Sequence, residues 1–353
     1  MTRPWLILRE GDRRRWGGDL RRHYLFDGLA ARTGGRVLED RRVASLTATL
    51  RELAGPRWQV WRGRPLAAST ELLSDKQMTA VTRFADGVVV DIHDDTIRQN
   101  DALGISAPDD VSESIRNTLT RNLERFEWHV TPSGPMADLM GLERRRVIVA
   151  SNGSDTRTVR PAPWPAEPAV AFVSGAAPRR GIEELIAAVR ITRQRVPGTR
   201  LDLWLAATEQ RSSDYLQSLR ESVAGDAWIR IGQTPYTELG EQLGRATVIC
   251  LPTPAHPYWD SVAPVKLFDC LAAGRPIVTT PRPETAAIVT DNEAGIVTTG
   301  DDAESLAHAI TELVGDPERG RALGTNARAA AERDYDWRAI GDRLADELLA
   351  RIG

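Results

Sequence analysis

Apolar residues recur at helical spacing with particular clarity in "PVKLFDCLAAGRPIVTT", residues 264–280, where Leu267, Phe268, Leu271 and Ala272 share one face. Gly274 and Pro276 end that pattern, and Ile277 to Thr280 read as a strand. The same alternation of short apolar runs and amphipathic stretches extends along the chain. In the first half the spacing predicts strands in "WLIL" (5–8), "GRVLE" (35–39), "RWQVW" (57–61), "GVVVDI" (87–92), "EWHVT" (127–131) and "RVIVA" (146–150). Helices are expected at about 19–32, capped by Asp19, and at 111–126. In the second half, strands are expected in "AVAFVS" (169–174), "LDLWLA" (201–206), "WIRI" (228–231), "TVICLP" (247–252) and "AGIVTT" (294–299). Helical patterns fall between them and close the chain at about 302–315, 317–333 and 337–351. Such alternation predicts an α/β protein with parallel sheets covered on both faces.

Between the halves lies "RPAPWPAEP" (160–168), four prolines in nine residues, a stiff segment that suits a linker. The pattern therefore predicts a first domain over 1–160, a second over 161–335, and a last helix, 336–353, folding back on the first. Two doubly wound domains facing an interdomain cleft would bind ligands at the carboxyl ends of their strands.

Composition narrows the chemistry. With 353 residues, 41% of them apolar, 27% charged and a net charge of −3, the chain has no global basic field for nucleic acid. Its two cysteines, Cys250 and Cys270, lie in apolar runs and read as buried thiols, which fits a reducing compartment. The apolar run at 5–8 is too short for a signal core, and a cytoplasmic location is expected.

Lysine at position 266 opposes the dipole of the helix it opens, a penalty that an anion would reverse. The amides of Val265, Lys266 and Leu267 together with the Lys266 charge make a phosphate site. "SGAAPRRG" (174–181) adds Arg180 just before another helix, and "WGGD" (16–19) adds Gly17 and Gly18, although a Gly-Gly pair also suits a plain turn. Asp269, one turn after Val265, reads as a ribose-diol acceptor or as a solvated helix charge. His93 follows an apolar strand, as a cap or as a group at a reacting sugar. "GDRRRWGGDLRR" (11–22) gathers five arginines, either a solvated loop or a contact for an anionic acceptor or a membrane surface bearing one. Metal chemistry is not expected. Asp334 and Asp336 form the only Asp-x-Asp, with Asp336 read as a helix cap, and no His/Cys spacing suits zinc.

These segments resemble those of the GT-B-fold, retaining family-4 glycosyltransferases (glycosyl transferases group 1). "PVKLFDCLAAGRPIVTT" is similar to their signature helix, "SGAAPRRG" to their phosphate loop, "VIVASNGSD" to a strand ending in P-N-G-V-D, and "WGGD" to their N-terminal glycine loop. The resemblance implies transfer of a hexose-type sugar from a nucleotide-diphosphate donor to an acceptor hydroxyl, with retention and without a metal or other cofactor. It implies that Arg180 and Lys266 hold the diphosphate, Asp269 the ribose, and Gly18 the phosphates. His93 would stand beside the donor sugar, with Gly232 and Gln233 near the base. Two departures stand out. The family's paired glutamates are replaced by Ser261, with Asp260 one position earlier, and by the shorter Asp269. The arginine usual after the strand-170 glycine is missing, with Ala176 or Ser174 in that place. The alternative these departures raise is a non-catalytic GT-B subunit that binds nucleotide sugar or acts as a scaffold.

Overall fold

The computed structural model describes residues 6–9, 17–34, 36–39, 65–69, 87–104, 117, 121, 123–207 and 210–352. The expected strand at 57–61 and residues 11–16 of the arginine-rich stretch lie outside them. Of the expected helix at 111–126, residues 117, 121 and 123–126 are described, and all but Phe126 are helical. The chain divides into two compact units. The first comprises 1–100, 106–152 and 337–353, and the second 101–105 and 153–336.

The first unit holds strands β1 (Leu6–Arg9), β2 (Arg36–Glu39), β3 (Pro65–Ser69), β4 (Gly87–Asp91), β5 (Trp128–Thr131) and β6 (Val147–Val149). They form one sheet in the order β2-β1-β3-β4-β5-β6, every neighbouring pair parallel. Its helices are α1 (Gly17–Thr33), α2 (Thr96–Ala102), α3 (Gly134–Leu139) and, from the far end of the chain, α12 (Trp337–Ile352). Helix α1 begins at Gly17, so the two glycines form its first turn rather than a preceding loop, and Asp19 lies inside the helix. Leu20, Leu25 and Leu29 of α1 are buried, as are Trp337, Ile340, Leu344 and Leu348 of α12. The two helices approach closely at Gly28 and Gly341: a Cβ on Gly28 would stand 2.8 Å from the Gly341 carbonyl carbon.

In the second unit the strands are β7 (Ala169–Gly175), β8 (Arg200–Ala206), β9 (Ile229–Gly232), β10 (Val248–Leu251), β11 (Ile277–Thr279) and β12 (Gly295–Val297). Their order is β12-β11-β10-β7-β8-β9, again all parallel. This is the Rossmann arrangement, in which the strand order reverses between the first and fourth strands, here β7 and β10. Near-continuous apolar runs such as "AVAFVSG" arise because both sheet faces are covered. Val170 and Phe172 join one core with α4 (Ile182–Arg195), α5 (Gln210–Ser222) and α10 (Ala303–Gly315). Ala171 and Val173 join the other, with α6 (Tyr236–Gly244), α8 (Val265–Ala272), α9 (Pro283–Asp291) and α11 (Pro317–Asp334). Cys250 and Cys270 are free, buried thiols.

The proline-rich run lies within the second unit. Buried Arg275 holds it, donating to the carbonyls of Ala162 and Pro163 at 2.8 and 2.9 Å and to those of Gly244 and Ala246. Two guanidinium groups lie against the Trp164 ring, Arg275 at 5.0 Å and Arg321 at 5.2 Å from its centre. A proline-rich segment frees few hydrogen-bond donors, but its carbonyls remain strong acceptors, and a buried arginine has donors enough to collect them.

Candidate functional site

At the switch point of the second unit, two helices start beside one another in the topology: α4 after β7, and α8 after β10 by way of the short helix α7 (Pro257–Ser261). Neither N-terminus has a side-chain cap, because the N-cap residues are Gly181 and Pro264. First-turn amides without an intrahelical acceptor make such ends anion sites. Helix α4 carries Glu183 and Glu184 in its first turn, whereas α8 carries no acid there and has Lys266 instead. Gly181, at φ 74°, fits the two loops together, since a Cβ would sit on the carbonyl oxygen of Pro252, the residue after β10.

Asp269 answers the question raised by Lys266. Its carboxylate lies 3.5 Å from the Lys266 ammonium, one turn along the helix. It is 0% exposed, and it accepts from the Ser154 hydroxyl at 2.8 Å and from the Tyr236 hydroxyl at 3.2 Å. Burial raises its pKa above the ordinary carboxylate value, opposed by Lys266, Ser154 and Tyr236. The reading of Asp269 as a solvated helix charge is therefore wrong. A side chain so enclosed also offers no open face to a ribose diol. Leu267 contributes no spare donor either: its side chain is buried and its amide bonds the Pro264 carbonyl at 2.9 Å. Val265 and Lys266 remain at the open end of the helix, both half-buried.

Arg180 crosses from the β7 loop to α7, its guanidinium 4.9 Å from the centre of the Trp259 ring. The next residue, Asp260, pairs with Arg282 at 3.0 Å. Ser261 is buried and donates to the Tyr258 carbonyl at 2.8 Å. The prolines of "TPAHPYWD" (253–260) suggest a rigid loop. The segment contains a helix because Pro257 suits a first helical position and the His256 ring accepts from the Tyr258 amide at 3.2 Å. Gln233 follows β9, an edge strand, and is exposed, while Gly232 leaves room for Trp204, whose ring would stand 2.8 Å from a Cβ there.

In the first unit, Gly17 and Gly18 open α1, and His93 follows the end of β4. Burial, then Arg22 and Arg21, push the His93 pKa down to about 3, so the ring is neutral at physiological pH. Arg21 is 0% exposed and binds the Asp91 carboxylate through Nε at 3.0 Å and Nη2 at 2.9 Å, and the Ala150 carbonyl at 2.6 Å. It thus ties α1 to the carboxyl ends of β4 and β6. Arg22 is buried too, so these two arginines do not join an exposed basic surface. Among the described residues no group of three or more His, Cys, Asp or Glu side chains could hold a metal ion, and no helix is long and apolar enough to cross a membrane. The sequence reading assigned no role to Ser154, Tyr236, Trp259 or Arg282, whose contacts are made with residues far along the chain or within a helix it did not expect.

Two units, each built on a six-stranded parallel sheet, and the likeness to the solved structures below place the chain in the GT-B class of α/β fold. Residues 167–316 match the family model of glycosyl transferases group 1. The chain is 29% identical over 191 residues to the GDP-mannose-dependent alpha-(1-6)-phosphatidylinositol monomannoside mannosyltransferase of Mycolicibacterium smegmatis, covering 52% of this chain and 48% of that protein. It is 27% identical over 221 residues to the glycogen synthase of Mycobacterium tuberculosis, covering 61% and 51%. The chain thus spans about half the length of the curated relatives it matches. Among solved structures it resembles sucrose-phosphate synthase from Thermosynechococcus elongatus, with a TM-score of 0.71, 16% identity and 99% of each chain covered. It also resembles Anabaena HepE in complex with UDP and glucose, with a TM-score of 0.67, 16% identity and 98% of each chain covered.

Proposed function

We propose that this protein is a retaining glycosyltransferase that moves a hexose-type sugar from a nucleotide-diphosphate donor to an acceptor hydroxyl. One observation carries the reading: at the switch point of the second unit, two helix N-termini without side-chain caps are accompanied by Arg180 and Lys266. Pyrophosphate suits such a place, because backbone dipoles and fixed cations need no reorganisation to meet its charge. The named relatives act with GDP-mannose or build glucans, and Anabaena HepE holds UDP and glucose, which supports a nucleotide sugar as donor.

In the reaction, the bond between the anomeric carbon and the diphosphate breaks while the acceptor oxygen bonds that carbon on the same face. The acceptor proton passes to the departing phosphate oxygen. Arg180 and Lys266 stabilise the charge that develops on the leaving group. For the first unit the reading assigns acceptor recognition, with His93 as a neutral hydrogen-bonding group rather than an acid. Exposed Gln233 lies at the end of β9, where the base would be read. No resident metal takes part, so treatment with EDTA leaves turnover unchanged.

Thermal-shift and calorimetric screening with UDP, GDP, ADP and TDP sugars, followed by donor hydrolysis, tests the proposal. Lys266→Ala lowers kcat by roughly 10²–10³, the usual effect of removing one preorganised oxyanion donor, at about 2.7–4 kcal/mol of barrier. Turnover that survives this change argues against the assigned role. Binding without any turnover by the unaltered protein argues for a subunit that only holds the nucleotide sugar.

A further inference from the structure

We propose that Ser154 and Tyr236 are positioning residues of the donor site: by holding Asp269, they fix the ammonium of Lys266 at the start of α8. This inference rests on the function proposed above and adds two residues to which the sequence reading gives no role.

The geometry begins with a carboxylate that has no access to solvent. Such a group keeps its charge only when its lone pairs are occupied by donors. Here Oδ1 accepts from two hydroxyls, Ser154 at 2.8 Å and Tyr236 at 3.2 Å, and Oδ2 faces the Lys266 ammonium at 3.5 Å. The Tyr236 oxygen in turn accepts from the Asp155 amide at 3.3 Å, so an amide, a phenol and a carboxylate form a chain that strengthens each member. Ser154 is held in place as well, its amide donating to the Tyr335 carbonyl at 2.9 Å. The Tyr236 ring serves a second purpose, since the Lys266 ammonium lies 6.0 Å from its centre. Lys266 is therefore gripped by a carboxylate and an aromatic ring, both set by the same tyrosine.

The titratable surroundings permit a pH test. Tyr236 is pushed far above its ordinary value by burial and then by Asp269, so it remains a donor throughout the usable range. Burial raises the Cys270 thiol as well, and it stays neutral. Asp155 lies beside Tyr236. On the neighbouring α11, Arg328 is committed to the carbonyls of Thr156, Val159 and Ala272. Asp336 accepts from Thr156. Burial raises the Asp269 carboxyl above the ordinary carboxylate value, against the pull of Lys266, Ser154 and Tyr236. Protonating it releases Lys266, so diphosphate binding falls as pH drops through its raised pKa. Removing either hydroxyl raises that pKa further and moves the loss to higher pH.

The experiment measures calorimetric binding of UDP, GDP, ADP and TDP to the full chain, from about pH 5 to about pH 8. It compares the unaltered protein with Ser154→Ala, Tyr236→Phe, Lys266→Ala and each double variant with Lys266→Ala, with thermal unfolding as a check on folding. Tyr236→Phe keeps the ring and Ser154→Ala removes a single oxygen, so both variants are mild. With the nucleotide that the unaltered protein binds, each weakens binding about ten-fold at neutral pH, as loss of one hydrogen bond to a charged group does. The acid limb moves upward in pH, and neither change weakens binding further once Lys266 is alanine. Unchanged affinity in both single variants, or full additivity with Lys266→Ala, overturns the inference and leaves the proposed function standing. If the unaltered protein binds none of the four nucleotides, the proposed function fails and the inference falls with it.

Discussion

A lysine in the first turn of a helix faces peptide dipoles that disfavour it, and Lys266 is tolerated because Asp269 answers it at i+3. The positions of Lys266 and Arg180 beside helix starts were legible in the sequence, because the apolar spacing marks where each helix begins. The depth of Asp269 was not, because helical spacing tells which face a residue takes and says nothing of how much packs over that face. Ser154 was hidden for another cause: its partner lies 115 positions away. His93 offers a test that needs no ligand. Its pKa is depressed from 6.5 to about 3 in the folded chain, so the unfolded chain binds the proton first. The stability this contributes is complete above about pH 6.5 and is lost as pH falls toward 3. In urea unfolding at a series of pH values, His93→Gln flattens this part of the profile. A profile unchanged by the substitution rules out an imidazole held neutral by the fold.

Among elements, those with sustained periodicity matched their sequence reading closely: 181–195 is helical over Ile182–Arg195, and the closing helices fall within a few residues of the expected limits. The misses share a cause. Strand β3, "PLAAS", is too poor in large apolar residues to stand out, and the prolines of 253–260 read as a rigid loop although Pro257 starts α7. The proline run was read as a linker because composition reports stiffness, while its anchor, Arg275, lies more than a hundred residues on. Gly181 shows how tightly the switch-point elements fit. Alanine there must adopt a left-handed conformation and also displace the Pro252 carbonyl. Gly181→Ala is expected to cost at least about 2 kcal/mol, from backbone strain plus overpacking. Chemical denaturation reads this directly, and a loss under about 0.5 kcal/mol, the range of ordinary surface changes, contradicts the close approach.

At the scale of the molecule, the division into two units follows contacts rather than chain order, and the last helix belongs to the first unit. Truncation after Asp336 removes the buried side chains of Trp337, Ile340, Leu344 and Leu348. At about 2 kcal/mol each, these approach the whole stability of a typical domain, about 5–15 kcal/mol. The second unit keeps both of its cores, so calorimetry of the truncated chain is expected to retain one cooperative transition and to lose the other. Two surviving transitions contradict a first unit that depends on α12.

That dependence has a consequence for synthesis. A ribosome releases β1 and α1 early, yet their cover is encoded some three hundred codons later. The intervening lobe emerges first and can mature while α1 waits with its leucines bare, a natural client for a chaperone until α12 has been made.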